Sequence, residues 1–441
     1  MSNSLKLSGN PICQNINHLP DAILHHVLSF LPTKEAVATS VLSKRWHSLW
    51  TWVRVLDFED SPSCETNEKQ RIDFMHFVYR ALILNRAVSL DKFRLNCDII
   101  HGPSCLNAWI DGAIRKDIVQ EVDISVSATQ KSHFLKLPSC VFTTKNLKVL
   151  KLSKGILIDV PNSMSVCFPS LKVLHLDFVE YANNDSVSRL LQGCTVLEEL
   201  LVNRSFRDNV RNFIISVPTL KTLNISELLE PKNLLEYFSH SYHYELTINA
   251  PNLEYLEIID LESLVHLESV FVSLIKANIS FHGTGLFQLA KALCNAKFLF
   301  LKWTCCGNSR ASLENASFPL FLNLTQLELH SGFEDWDVIP HFLDNSPNLE
   351  VLVLENPIIM RNKQECFPKC LSPHLRKVLC RGFEGCEHEL KMVEYILMNA
   401  RALELIEICS SFDMSFESKF ALLQKLSKFP RRSETCQLTF K

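Results

Sequence analysis

Apolar residues recur along most of this chain in a short phrase with hydrophobic relative positions one, four and six. Clear copies are NLKVLKL from Asn146, SLKVLHL from Ser170, NLEYLEI from Asn252, NLTQLEL from Asn323 and NLEVLVL from Asn348. In each copy, position one is the leucine that follows the first letter. With weaker copies, position one falls at residues 90, 119, 147, 171, 197, 220, 253, 274, 296, 324, 349, 375 and 403. Because side chains alternate along a strand, positions four and six predict one buried strand face. The repetition predicts a stack of parallel strands.

The segments between these predicted strands carry further apolar clusters, such as Val187, Leu190 and Leu191, or Phe287, Leu289 and Leu293. Their spacing suits helices on the convex side of a curved solenoid, with the parallel strands on its concave side. The phrase and its period resemble leucine-rich repeats, although the asparagine that many such repeats carry after the strand is mostly missing. Scattered leucines in an ordinary α/β protein are the alternative.

Between residues 15 and 60 the apolar pattern has helical periodicity instead. Leu19-Pro20-Asp21 opens a stripe that Pro32 ends, and its members are Ile23, Leu24, Val27, Leu28 and Leu31. Thr33 is a candidate N-cap for a second short helix, and Ser43 for a third that carries Trp46, Leu49 and Trp50. A unit this small cannot bury all of that apolar surface by itself, so we expect a neighbour or partner to cover part of it.

This stretch resembles an F-box of the form found in large plant families, through its Leu-Pro-Asp entry, its Leu-Ser-Phe-Leu-Pro-Thr-Lys turn and its Val-Leu-Ser-Lys-Arg-Trp run. The resemblance implies docking on a Skp-type adaptor, which links the chain to cullin and RING subunits and a ubiquitin-conjugating enzyme. It also implies an apolar docking face made by Leu19, Pro20, Ile23, Leu24, Leu28, Leu31 and Val41. The alternative is that these residues form only the internal core of a helical hairpin.

The remaining segments complete the predicted order of domains. We expect a flexible tail at 1–14, a linker loop and bridging helix at 61–89, and the leucine-rich-repeat solenoid at 90–365. Residues 366–441 resemble the FBD domain of many plant F-box proteins, through the Glu-Leu-…-Tyr-Ile-Leu-x-Asn-Ala run and the closing Phe-Pro-Arg-Arg-Ser. We interpret this segment as the C-terminal cap that a solenoid needs to cover its last apolar face, with a separate substrate-binding module as the alternative.

Composition narrows the possible partners. The 441 residues are 47% hydrophobic, which supports a substantial core, and the formal net charge of −3 comes without any long basic run. We therefore expect neither a nucleic-acid nor a membrane partner. No apolar segment is long enough to span a bilayer, and the first residues lack the apolar core of a signal peptide. The chain is expected in the cytosol, the nucleus or both.

The sixteen cysteines include no Cys-x-x-Cys pair, so reduced thiols are expected rather than a disulfide or metal framework. The densest set is Cys366, Cys370, Cys380, Cys386 and His388. A zinc site there is the alternative, but Cys380 stands where the repeat requires an inward apolar residue. We predict no metal and no cofactor.

Together the resemblances imply a non-catalytic subunit of an SCF-type ubiquitin ligase, which captures an unknown protein substrate on its repeats. An enzyme is disfavoured because the chain has no Gly-x-Ser-x-Gly, His-Glu-x-x-His or phosphate-binding Gly-rich motif. The other alternative is a scaffold that binds a Skp-type adaptor without delivering a substrate.

Strand alternation also predicts where recognition occurs, because positions three, five and seven must point away from the core. The predicted recognition residues are Tyr255, Glu257, Phe298, Phe300, Lys302 and Glu328. The two phenylalanines are the proposed anchor, since aromatic side chains carry much of the binding energy of protein interfaces. The alternative is a shift by one residue, which would bury both rings, because this copy starts at Ala296.

Overall fold

The helices and strands come from a computed structural model of the chain. The residues it describes are 16–60, 68–115, 119–127, 134–205, 209–228, 245–261, 264–282, 286–304, 318–331, 339–355, 371–411 and 414–441. The predicted tail, 1–14, lies outside them. The chain divides into two compact units, 1–150 and 151–441, and each is treated by itself.

The first unit begins with the three short helices that the sequence predicts. Its helices are α1 (Asp21–Leu28), α2 (Thr33–Ala38), α3 (Trp46–Leu49), α4 (Glu68–Leu84) and α5 (Pro103–Ile114). Single 3-10 turns lie at Ile16–His18, Thr39–Val41, Trp50–Trp52, Ile99–His101 and Ser139–Thr143. The helix predicted between the F-box and the repeats is confirmed as α4.

The strands of the first unit begin after α3 and alternate with the later helices. They are β1 (Val55–Glu59), β2 (Leu90–Asp98), β3 (Val119–Ser127) and β4 (Leu135–Lys136). Strand β2 pairs in parallel with β1 on one side and with β3 on the other. Strand β1 was not predicted, yet it has the repeat's alternation, because Leu56 and Phe58 are buried while their neighbours are not. The sheet therefore starts one strand earlier than the repeated phrase.

Both predicted N-caps in this unit are wrong. The residue before α2 is Pro32, and the Thr33 hydroxyl instead accepts a hydrogen bond from the Asp57 backbone N–H at 2.8 Å. Helix α3 starts only at Trp46, and no side chain caps it. The Thr33 contact ties α2 to β1, so a long-range bond takes the place of a local one.

In the second unit one strand follows another in parallel. The bounds are β5 (Val149–Lys154, across the boundary), β6 (Ile156–Ile158), β7 (Val173–Asp177), β8 (Glu180–Tyr181), β9 (Glu199–Ser205), β10 (Asn212–Ser216), β11 (Thr222–Leu228), β12 (Glu245–Asn249), β13 (Tyr255–Leu261), β14 (Leu264–Leu267), β15 (Lys276–His282), β16 (Phe298–Thr304), β17 (Gln326–Ser331), β18 (Val351–Glu355), β19 (Lys377–Phe383), β20 (Leu405–Ser410) and β21 (Gln437–Phe440). The main sheet runs β7-β9-β11-β13-β15-β16-β17-β18-β19-β20-β21, and each neighbouring pair is parallel.

The buried side of these strands confirms the repeat. Every residue at a predicted position one, from Leu90 to Leu403, is buried. Positions four and six are buried as well, as Leu174 and Leu176 of β7 illustrate. Burying such an aliphatic side chain stabilises the fold by about 1.5–3 kcal/mol relative to leaving it exposed. The mixed α/β class with parallel, leucine-lined strands is therefore confirmed.

Among the described residues of the second unit, helices lie between some of the strands. They are α6 (Asp185–Gln192), α7 (Leu286–Ala292), α8 (Ile339–Asp344), α9 (Glu387–Asn399) and α10 (Phe416–Leu426). The predicted cluster on α6 is buried. Elsewhere β10, β12 and β14 form a second, three-stranded parallel sheet where we expected helices. The reason is local alternation, since Phe213 and Ile215 of β10 are buried and the residues between them are exposed.

The predicted cap continues the main sheet rather than ending it. Strands β19, β20 and β21 pair in the same parallel register as the earlier strands. Helix α9 begins with a capping box in which the buried Glu389 carboxylate accepts the Cys386 backbone N–H at 2.9 Å. Burial raises the pKa of Glu389, and the backbone N–H groups that donate to its carboxylate, including that of Cys386, oppose this rise. The C-terminal segment is thus integral to the second unit.

Removing residues 384–441 should therefore destabilise the second unit. The deletion would uncover Val378 and Cys380 of β19, which β20 now covers and which are both fully buried. We expect a melting temperature lower by several degrees and a shift towards aggregates, measured by calorimetry and light scattering. A monomeric truncated chain with an unchanged melting temperature would make the segment an independent module.

Candidate protein-interaction surfaces

Helix α1 divides its apolar residues between two stripes. Leu24 and Leu28 are 0% exposed and form the inward stripe. Ile23 and Val27 are four residues apart, so they share another face of the helix, and both are exposed. Phe30, in the turn that follows α1, is exposed as well. The unit thus has one aliphatic stripe in its core and a second one in contact with solvent.

This division corrects the predicted docking face. Leu24 and Leu28 cannot contact a partner, because their side chains are wholly enclosed by the chain itself. Leu31 is half-buried, whereas Leu19, Pro20, Ile23 and Val41 are exposed, Val41 to 88%. The prediction also omitted the exposed apolar residues Ile16, Val27, Phe30 and Leu42. Helical spacing could have identified Val27, but the choice between two equally apolar stripes needs the fold.

Arg45 and Trp46 hold the entry to α1 in place. The Arg45 guanidinium donates to the Leu19 carbonyl at 2.6 Å and to the Asp21 carboxylate at 3.0 Å. The Trp46 indole N–H donates to the Asn17 side-chain oxygen at 2.6 Å. An exposed ion pair by itself contributes little, but these bonds together fix the backbone that presents Leu19. Arg45 and Trp46 therefore position this surface from behind the entry to the helix.

A cavity of about 580 Å³ lies in the same unit, between the start of α2, the end of β1 and α4. Two of the carboxylates that line it are paired inside the fold. The Arg94 guanidinium lies 3.0 Å from Asp57, and the buried His101 imidazole lies 2.7 Å from Asp60. Asp57 and Asp60 are therefore engaged by partners within the unit.

In the second unit we define the open face as the side of the main sheet that carries positions three, five and seven. Phe298 and Phe300 of β16 lie on it and are half-buried, while Leu299 and Leu301 between them are buried. The register pairs Phe300 with Asn278 on one side and Glu328 on the other. The predicted orientation of the two rings is thus confirmed, and the shift by one residue is excluded.

Charged side chains surround Phe300 on the neighbouring strands. Its ring lies 4.5 Å from the His330 imidazole, centroid to centroid. His330 Nε2 lies 2.8 Å from Glu355 and 3.2 Å from Glu328, and the Arg381 guanidinium lies 3.3 Å from Glu328. Lys302 follows on β16 and is exposed. The structure therefore brings Phe300, Lys302 and Glu328 together and adds His330, Glu355 and Arg381, which the prediction had not included.

Two predicted recognition residues lie farther along the sheet. Tyr255 and Glu257 are on β13, two strands from β16, or about 10 Å at the usual strand spacing. Tyr255 is exposed. The Glu257 carboxylate accepts hydrogen bonds from the Asn278 amide, at 2.7 Å, and from the Asn224 amide. Glu257 therefore links three strands and is less available to a partner than Tyr255.

Possible metal ligands come together at one place on the open face. Within the described part of the chain, Glu328, His330 and Glu355 are the group whose donor atoms are close enough to share an ion, but Arg381 already pairs with both carboxylates. Two candidate ligands of the alternative zinc site, Cys366 and Cys370, lie outside the described residues. Cys380 is fully buried at the inward position that the repeat requires, and this burial raises its pKa to about 12. Among the described residues, no helix has the length and apolar character needed to cross a bilayer.

Three family models match parts of the chain. The F-box domain matches residues 16–58, which contain the two stripes of α1. The leucine-rich repeats of "FBD-associated F-box protein At5g56370" match residues 106–278. The FBD model matches residues 363–408, which contain β19, α9 and most of β20.

Curated relatives match over nearly the full length. F-box/FBD/LRR-repeat protein At2g04230 of Arabidopsis thaliana is 33% identical over 95% of this chain and 92% of its own. F-box/FBD/LRR-repeat protein At4g00160 of the same plant is 32% identical, over 97% of this chain and 94% of its own. F-box/FBD/LRR-repeat protein At5g56420 is 31% identical, over 96% and 98%. The similarity thus includes all three segments in the same order.

Proposed function

Because this chain belongs to the family of F-box/FBD/LRR-repeat proteins, we propose that it is a substrate adaptor of an SCF-type ubiquitin ligase. Its F-box binds a Skp-type adaptor, and through that adaptor the cullin and RING subunits. Its repeats capture a target protein. The chain performs no chemistry itself. It acts by holding a target near a conjugating enzyme, which raises the effective concentration of the reacting groups.

The exposed stripe of α1 is the observation that supports the docking half of this proposal most strongly. Ile23 and Val27 expose apolar surface on a helix whose other stripe already fills the core, and Phe30 in the turn after the helix is exposed too. A solvent-exposed set of this kind is typical of protein interfaces. The neighbouring turn adds Val41 and Leu42, also exposed. We infer that the Skp-type adaptor covers these residues, while Leu24 and Leu28 support them from beneath.

The open face of the main sheet supports the recognition half. Phe298 and Phe300 supply aromatic surface there, and the Phe300 ring is held against His330. A fixed ring loses little conformational freedom on binding, which favours it as an anchor. Lys302, Glu328 and Arg381 add charge next to the ring and would select among partners. We propose Phe298 and Phe300 as the centre of the substrate site, with Tyr255 at its margin.

Charging the exposed stripe should abolish adaptor binding without unfolding the chain. In Ile23→Asp with Val27→Asp, both carboxylates stay hydrated in the free protein but would be buried in the complex, at a cost of several kcal/mol. We expect a loss of affinity for a recombinant Skp-type adaptor of at least about 100-fold in titration calorimetry. The melting temperature should be unchanged.

The control for this experiment is Val88→Asp, since Val88 is an exposed apolar residue of the same unit outside the F-box. It should bind like the wild type. Normal affinity of the folded stripe variant would rule out the docking assignment.

The recognition site can be tested with a substrate trap. A chain carrying the stripe variant should accumulate its target in plant cells, because the target is captured but not delivered. Adding Phe298→Ala and Phe300→Ala should reduce the captured target with little change in stability, since both rings lie on the open face.

Leu299→Ala and Leu301→Ala are the matched controls and should each cost about 2–5 kcal/mol of folding free energy, because both leucines are buried. A large loss of stability in the phenylalanine variants would reject the site. A trap that captures no protein would favour a scaffold that binds the adaptor without delivering a substrate.

A further inference from the structure

One row of side chains crosses the open face at the start of the strands. The register places Tyr255 of β13 beside Lys276 of β15, and Lys276 beside Phe298 of β16. Tyr255 is 44% exposed, Lys276 is exposed and Phe298 is half-buried. Because neighbouring strands lie about 4.8 Å apart, the two aromatic residues start about 10 Å from each other, with the lysine between them. We call Tyr255, Lys276 and Phe298 the recognition row.

A second lysine lies next to this row. The Lys297 Nζ lies 5.5 Å from the centre of the Phe298 ring. The Ile275 carbonyl accepts the backbone N–H groups of Lys297, at 3.0 Å, and of Phe298, at 2.9 Å. Ile275 directly precedes Lys276 in the chain, so the two lysines come from neighbouring strands at the same edge of the open face.

Neither lysine has a counter-charge in the chain. No ion pair among the described residues includes Lys276 or Lys297. Elsewhere along this edge the lysines are paired, since the Glu198 carboxylate accepts a hydrogen bond from Lys172, at 2.8 Å, and another from Lys221, at 3.2 Å. The start of β15 and β16 thus differs from the rest of the edge in its free positive charge.

The neighbouring residues explain this difference. Lys297 stands at position two of its copy, and the residues at position two on either side are Ile275 and Thr325, which carry no charge. Glu254 is the next residue of that series beyond Ile275, and it forms an ion pair with neither lysine.

Two other carboxylates of the open face are already engaged. Glu257 accepts a hydrogen bond from the Asn278 amide at 2.7 Å. Glu328 lies 3.2 Å from His330 Nε2 and 3.3 Å from the Arg381 guanidinium. The charge of the two lysines therefore remains available to a partner.

We propose that the recognition row selects targets by an acidic segment with apolar residues on both sides, an inference that rests on the proposed role of the open face. Aspartate or glutamate of the target pairs with Lys276 and Lys297, while the apolar side chains contact Tyr255 and Phe298. An extended chain advances about 3.3 Å per residue, so apolar residues three positions apart match the spacing of about 10 Å. Because the lysines give up no existing ion pair on binding, their attraction distinguishes acidic targets from basic ones.

The test is a selection by the immobilised full chain from a phage-displayed library of random peptides of about 12 residues, roughly 40 Å when extended. Enriched peptides should carry aspartate or glutamate between apolar residues. In fluorescence anisotropy, replacing these acidic residues of an enriched peptide by lysine should weaken binding at least about tenfold. Raising the salt concentration should weaken binding of the acidic peptide, because exposed charges are screened.

Variants identify the surface. Lys276→Glu with Lys297→Glu should enrich peptides with lysine or arginine in place of the acidic residues. Tyr255→Ala should weaken binding of the acidic peptide without changing the melting temperature, because its side chain is exposed. The matched control is Lys425→Glu with Lys428→Glu, which changes the net charge equally at two exposed lysines that no described ion pair includes. The control should select the same acidic peptides as the wild type.

Two results would overturn the proposal. The first is a selection that enriches no peptide, or enriches peptides without a preference for acidic residues. The second is a charge-reversed variant that still selects acidic peptides. Binding of a recombinant Skp-type adaptor is measured separately on the same chain. Normal adaptor binding without selection of acidic peptides would overturn this inference alone, whereas selection of acidic peptides without adaptor binding would support the recognition row and reject the ligase role.

Discussion

The in-register pairing of parallel strands is the constraint on which the second unit depends. The register places equivalent positions of successive repeats side by side. Leu299 therefore lies between Ala277 and Leu327 in one buried row. The same register places Phe300 between Asn278 and Glu328 on the open face. The register therefore determines at once which residues are buried and which lie on the open face. A one-residue slip would exchange the buried row and the open face together.

The F-box helices solve a related problem by different means. Helix α1 has apolar residues on two faces, and the small unit can enclose only the stripe of Leu24 and Leu28. The stripe of Ile23 and Val27 remains exposed to water, which is unfavourable for apolar side chains. A partner that covers the stripe would remove this unfavourable exposure. Arg45 and Trp46 keep the entry to the helix ordered while that surface is exposed. The apolar excess is thus the physical basis of the proposed docking.

Periodicity predicted the strands well because it is a property of neighbouring residues. It placed Phe298 and Phe300 on the open face even though the copy begins at Ala296, which is itself buried. It failed where the decision depends on distant partners. Thr33 bonds to Asp57 and Glu257 to Asn224, contacts that no local pattern encodes. Likewise, Leu422 of α10 is buried and Phe420 exposed, a choice that depends on what packs beneath the helix.

Hydrogen–deuterium exchange of the full chain, with and without a recombinant Skp-type adaptor, tests the central claim most directly. The claim is that the exposed stripe of α1 and the turn at Val41 dock on the adaptor while the open face stays free for a target. Peptides from residues 16–42 should gain protection in the complex, and peptides from β15 and β16 should exchange as in the free chain. Unchanged exchange in 16–42, or protection of the open face by the adaptor itself, would contradict the account.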